Sequence, residues 1–213
     1  MGSDFGRVQR EDPWLGWLAV VPSEPSPSGI AGVQLLALEA HVDDRGSLTE
    51  TYRRDRLEGD ARESVQANLS WSRPGVLRGL HWHRQQRDYW CVLSGRAFIV
   101  LVDLREDSPT RRVTIQRWID AGEERLGISI PPGVAHGFYA ETEVLLQYLV
   151  DGYYTGEDEF GLAWDDPELA VEWPVDAPTL SMRDRSNPSI VELRDAPRFG
   201  DRSTPRGPRP EGA

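Results

Sequence analysis

Three of the four histidines and one aspartate are spaced so that they could build a reactive site: His81 and His83 flank Trp82, Asp88 follows, and His136 closes the run that starts at Pro131-Pro132-Gly133. Side chains of a β-strand alternate between its two faces, so an extended segment would point His81 and His83 the same way, and a hairpin would bring Asp88 beside them. Three imidazoles and a carboxylate that met would form a mixed nitrogen and oxygen site suited to iron, manganese, nickel, copper or zinc. Taken singly, each histidine is equally at home on the surface or hydrogen-bonded in a core. Cys91, the only cysteine, reads as a small core residue rather than a nucleophile.

The elements that must position these residues read as strands. Tyr89 to Leu93, Ala97 to Leu104, Val113 to Ile119, Gly127 to Ile130 and Val144 to Val150 are rich in β-branched and aromatic residues and are punctuated by Gly, Pro, Asp and Ser. Ser94-Gly95 separates the first two as a tight turn would. No helical period emerges between residues 70 and 150, so the expectation is an all-β jelly roll with few, short helices. The Pro/Ser run at 22–29 reads as a linker and the Pro/Arg/Gly-rich stretch 195–213 as a disordered tail. That leaves an N-terminal extension and linker at 1–29, carrying Phe5, Trp14 and Trp17, and one folded domain at 30–194.

Composition narrows the functions further. At 213 residues and 38% hydrophobic content, the chain can bury a core without disulfides or metal staples. The net charge of −11 repels nucleic acid and anionic membranes, so neither is expected as a partner. Every basic residue is arginine; lysine Schiff-base chemistry is excluded, and any anionic ligand must be gripped by arginine forks. A lone cysteine and the acidic flank before the apolar stretch Trp14 to Val21 argue for a cytoplasmic protein without a signal peptide. There is no phosphate-cradling glycine loop, no Gly-x-Ser-x-Gly elbow and no solenoid repeat.

The run from Gly75 through His81, His83, Asp88 and Gly95, with Pro131 to His136 downstream, resembles the two metal-binding motifs of cupins. In those, two histidines, a carboxylate and a third histidine converge inside the barrel. A second resemblance covers about residues 43 to 190. Asp44-Arg45-Gly46 to Glu50, Gln66-Ala67-Asn68-Leu69-Ser70, Gly75-Val76-Leu77-Arg78-Gly79-Leu80-His81, Asp103-Leu104-Arg105 to Ser108-Pro109-Thr110, Ile130 to Phe138, Tyr148 to Tyr154, Trp164-Asp165-Asp166-Pro167, Trp173-Pro174 and Leu180 to Arg185 are similar in order and spacing to the dTDP-4-dehydrorhamnose 3,5-epimerase family.

That resemblance implies a cupin jelly roll (a double-stranded β-helix), usually metal-free and homodimeric, that inverts C3 and/or C5 of a dTDP-4-keto-6-deoxyhexose. It implies His81 as the base, Asp184 as the carboxylate that orients it and Tyr148 as the acid. Arg45, Glu50, Gln66, Asn68, Arg78 and His136 would hold diphosphate and sugar, and Tyr154 would stack on thymine. The two resemblances diverge at two positions, since the family usually has glutamine at His83 and, at Asp88, a lysine that stabilises the enolate. Three alternatives follow: a cofactor-free epimerase; a divalent transition metal on His81, His83, Asp88 and His136 serving an isomerase or an iron-dependent oxygenase; and a non-catalytic sugar-binding cupin.

Overall fold

The structure, a computed structural model, describes residues 26–59 and 61–193. The N-terminal aromatics Phe5, Trp14 and Trp17, and the stretch from 195 read as a tail, lie outside the described residues. Strands β1 (Ser26–Pro27), β2 (Gln34–Ala37), β3 (Ala40–Asp43), β4 (Gly46–Thr49) and β5 (Gln66–Ser72) open the chain. They are followed by β6 (Leu77–Trp82), β7 (Asp88–Ser94), β8 (Arg96–Asp103), β9 (Thr114–Asp120), β10 (Leu126–Ile130), β11 (Val134–Ala140), β12 (Val144–Val150) and β13 (Phe160–Gly161). Among the described residues helix is confined to two short 3-10 turns and the four-residue α1, Met182–Arg185.

Two antiparallel sheets face each other in a jelly roll, one ordered β1-β2-β10-β7-β12-β5 and the other β13-β6-β11-β8-β9. Alternation along the strands builds the core between them: Trp90, Val92, Ile128, Ile130 and Leu146 of the first sheet meet Ile99, Leu101, Ile119, Val134 and Phe138 of the second. The outer face of the second sheet is also apolar, because the segment after β13 folds back and packs Leu162, Leu169 and Ile190 on Leu80, Trp82, Val100 and Val102. Tyr89 and Cys91 face the other way, under Leu36, Leu38, Leu57 and Ala61. Burial there pushes the Cys91 thiol up to about 11, as befits the inert core residue expected.

Three expectations are corrected. Ser26 and Pro27, read as linker, pair with Leu35 and Gln34 as β1. Ser94-Gly95 does not close a hairpin, since β7 pairs with β10 and β12 whereas β8 pairs with β9 and β11, so this turn carries the chain from one sheet to the other. For the same reason no hairpin joins His81 to Asp88: β6 and β7 lie in opposite sheets, and Asp88 approaches the histidines across the sandwich.

Candidate active site

Strand β6 departs from regular alternation, and that irregularity makes the site. Arg78 and His81 are three apart and would lie on opposite faces of a regular strand, yet both line one cavity. His136 of β11 is in register with His81 and Phe138 with Arg78, so three steps on β6 face two on β11, a β-bulge. Gly79 sits at that bulge with φ 125°, and a Cβ there would come within 2.7 Å of the Gly137 Cα. Only glycine fits, so the sequence Arg-Gly-Leu-His delivers an arginine and a histidine to the same side.

His81 Nε2 lies 2.6 Å from Asp184 Oδ1. The carboxylate is held at the start of α1, where the Ser181 hydroxyl accepts the Asp184 backbone N–H at 3.1 Å. Burial alone would raise the Asp184 carboxyl; the hydrogen bond and charge of His81, helped by Ser181 and Arg183, hold it below the ordinary 3.8. A carboxylate can only accept, so Nε2 carries the proton and Nδ1 is the imidazole nitrogen left with a lone pair.

His83, Asp88 and His136 form a second cluster, all buried, with one donor atom from each lying within 4.8 Å of the others. His83 lies just beyond β6, in a loop pinned by Asp158, whose carboxylate accepts from the backbone N–H groups of Arg84, Gln85 and Gln86 at 2.7, 3.0 and 3.1 Å. The Asp158 carbonyl accepts His83 Nδ1 at 2.6 Å, and the Val134 carbonyl accepts His136 Nδ1 at 3.0 Å. His81 is not part of this cluster. The four-ligand set is therefore corrected to three, because the His81 imidazole is turned to Asp184. Burial is the main reason that His136 is pushed down to about 4, and it stands as a neutral imidazole.

Both groups open on a cavity of about 460 Å³ between the sheets, within the usual range for small-molecule sites. Its walls include Gln66 and Asn68 of β5, Tyr148 of β12 and, beyond that strand, Tyr154. Gln66 Nε2 donates to Asn68 Oδ1 at 2.9 Å and Gln66 Oε1 accepts the Tyr154 N–H at 3.3 Å, so these three form one edge. Arg78 is braced by the Ser72 hydroxyl at 2.9 Å and the Trp71 carbonyl at 3.2 Å. Half-burial raises the Tyr148 phenol above its ordinary 10.0, with the charges of Asp88 and Glu159 adding, so the group is protonated at neutral pH.

Seven of the nine residues expected at a catalytic or substrate-binding position before Tyr154 is counted line this cavity or bond directly to a residue that does. Arg45 and Glu50 are the exceptions. Arg45 is 89% exposed on the β3–β4 hairpin and paired with Asp43, and Glu50 is paired with Arg53 and Arg56. Gln86, Trp90, Glu159 and Arg183 also line the cavity and were missed. Trp90 follows Asp88 on β7 at the two-residue strand period, a signal that could have found it; Gln86 and Glu159 lie outside the strands and Arg183 lies on the short helix α1, and these carried none.

Residues 27–192 match the family model described as dTDP-4-dehydrorhamnose 3,5-epimerase. The "dTDP-4-dehydrorhamnose 3-epimerase" of Streptomyces niveus is 38% identical over 177 residues, covering 80% of this chain and 85% of that protein. NovW, a 4-keto-6-deoxy sugar epimerase from the novobiocin cluster of Streptomyces spheroides, superposes with a TM-score of 0.77 at 35% identity over 85% of this chain and 98% of that one. The Legionella pneumophila dTDP-6-deoxy-D-glucose-3,5-epimerase, solved with dTDP-4-keto-L-rhamnose, gives a TM-score of 0.76 at 32% identity over 83% and 98%. With fold and sequence in agreement over most of its length, the chain belongs to the dTDP-4-dehydrorhamnose 3,5-epimerase family of isomerases.

Proposed function

We propose that the cavity binds a dTDP-4-keto-6-deoxyhexose and inverts C3, C5 or both, with His81 as base, Asp184 as the residue that positions it and Tyr148 as acid. The observation that carries this reading is the 2.6 Å bond between His81 and Asp184 at the wall of a cavity whose opposite wall holds Tyr148. His81 is on β6 of one sheet and Tyr148 on β12 of the other, so the two groups address a sugar between them from opposite faces. Inversion needs that arrangement. His81 Nδ1 takes the proton α to the C4 ketone, the electron pair moves into the enolate, and the Tyr148 phenol returns a proton to the other face. Asp184 keeps Nε2 protonated and balances the imidazolium formed at the first step.

Arg78 offers its guanidinium to the diphosphate, Gln66 and Asn68 hydrogen-bond the ligand, and Tyr154, 67% exposed at the rim, is free to stack on the base. A homodimer in the cytoplasm completes the reading. The β3–β4 hairpin pairs with no other strand among the described residues and exposes Val42 and Leu48, which makes it an arm suited to carrying Arg45 and Glu50 to a partner's cavity. Among the described residues no helix is long and apolar enough to cross a membrane. The test is turnover of dTDP-4-keto-6-deoxyglucose followed by NMR: an inverted product that forms with wild type and not with His81→Asn supports the assignment, and no product with wild type refutes it.

A further inference from the structure

We infer that His83, Asp88 and His136 form a divalent metal site at the floor of the cavity, separate from the His81–Asp184 pair and able to work beside it. Both Nδ1 atoms face backbone carbonyls, which only accept, so both carry the proton, and in the neutral imidazole each Nε2 presents a lone pair. The two Nε2 atoms converge on one carboxylate: His83 Nε2 is 3.8 Å from Asp88 Oδ1, and His136 Nε2 is 3.7 Å from Asp88 Oδ2. Those distances are too long for hydrogen bonds, so the histidines and the aspartate do not satisfy one another. Lone pairs and a carboxylate that face each other in a buried site repel unless a cation lies between them.

An ion about 2.1 Å from each donor needs donor pairs roughly 3.0 to 3.5 Å apart, which small side-chain rotations of this cluster reach. Asp88 is itself braced from behind, by Gln86 Nε2 at 2.9 Å to Oδ1 and by the Trp90 indole N–H at 3.2 Å to Oδ2. Such outer hydrogen bonds orient a ligating carboxylate without occupying its metal-facing lone pairs. Two imidazoles and one carboxylate on one side leave the remaining coordination positions toward the cavity, an open arrangement of the catalytic kind.

The inference deepens the epimerase reading in one respect, the task of the ion. As the C–H electron pair moves into the C4–oxygen system, negative charge develops on that oxygen, and the cavity floor offers Asp88 where a cation is wanted. A divalent ion supplies the positive charge. The proton still goes to His81 and another comes from Tyr148; no oxidant or reductant is consumed.

The test uses the full chain, stripped with chelator, dialysed and titrated with cobalt(II) while its visible ligand-field bands are recorded. One saturable equivalent per chain is expected, with affinity weakened at least about tenfold in His83→Gln and in Asp88→Asn, both checked by circular dichroism for retained fold. No saturable binding, or binding that both folded variants leave unchanged, overturns the site. The epimerase reading fails separately: it is lost if neither stripped nor loaded protein exchanges the C3 and C5 protons, whereas the metal site is lost if cobalt does not bind even though exchange proceeds.

Discussion

Asp184→Asn isolates the contribution of the pair at the cavity wall. The bond removed is short, at 2.6 Å, and charge-assisted, and its acceptor is almost wholly buried. Bonds of that kind contribute about 1.5 to 3 kcal/mol. The carboxylate matters most when His81 becomes an imidazolium, so the loss falls on the transition state and kcat should drop about 10- to 150-fold with KM little changed. If the asparagine amide turns its NH2 toward Nε2, the proton moves to Nδ1 and the base is silenced, which deepens the loss toward the ~10⁴-fold seen when other orienting aspartates are neutralised. The backbone N–H of residue 184 still donates to Ser181, so α1 should persist. The assay is the initial rate of epimerised product by NMR at neutral pH, with circular dichroism as a folding control. A folded Asp184→Asn within threefold of wild type would refute the assignment of Asp184 as the residue that charges and orients the base.

Tyr148→Phe should lower product formation about 10²- to 10⁴-fold while His81 still removes the α proton, so deuterium washes in without inversion; full inversion by this variant would remove Tyr148 from the mechanism. Because the Tyr148 phenol is raised above 10.0, the alkaline limb of kcat should lie beyond pH 10 in wild type, and a limb below that value would contradict its environment. Asp103 is fully buried and accepts from Arg105 Nε at 2.7 Å, Ser108 at 2.5 Å and Thr110 at 2.7 Å, so Asp103→Ala should cost about 3 to 5 kcal/mol in denaturant unfolding. Burial opposes ionisation there, but these partners hold the carboxyl below 3.8; its contribution is therefore complete above that value and lost as pH falls through the depressed one, an acid-unfolding component that Asp103→Asn should lack. Gly79→Ala drives a Cβ into the Gly137 backbone and should both lower the melting temperature and depress activity, since it shifts Arg78 and His81; unchanged activity would show that the bulge does not set the site.

Strand alternation made much of the fold legible. Val144 to Val150 was bounded to the residue, and β7 to β10 to within one residue at each end, because runs of β-branched and aromatic residues between Gly, Pro and Asp specify a half-buried pleated surface with little ambiguity. Strand pairing was less legible: nothing local in Ser94-Gly95 tells a hairpin from a crossing between sheets, since that depends on partners far along the chain. The site divides along the same line. His81, Asp184 and Tyr148 emerged from the family resemblance, not from spacing, because 103 residues separate the two members of the pair. The four-ligand metal reading failed at His81 because a period-two argument assumes an uninterrupted strand, whereas β6 ends at Trp82, before His83, and the His81 imidazole is turned to Asp184. Asp158, which fixes the loop after β6 and the His83 tautomer, lies 75 residues from that histidine and gave no local signal.

The most direct test of the central claim is the fate of the protons at C3 and C5 of dTDP-4-keto-6-deoxyglucose in deuterated solvent, read by NMR for wild type and His81→Asn side by side. Deuterium is expected at one or both carbons with wild type and none above the uncatalysed background with the variant. Equal incorporation by both proteins, or none by either, would contradict that claim.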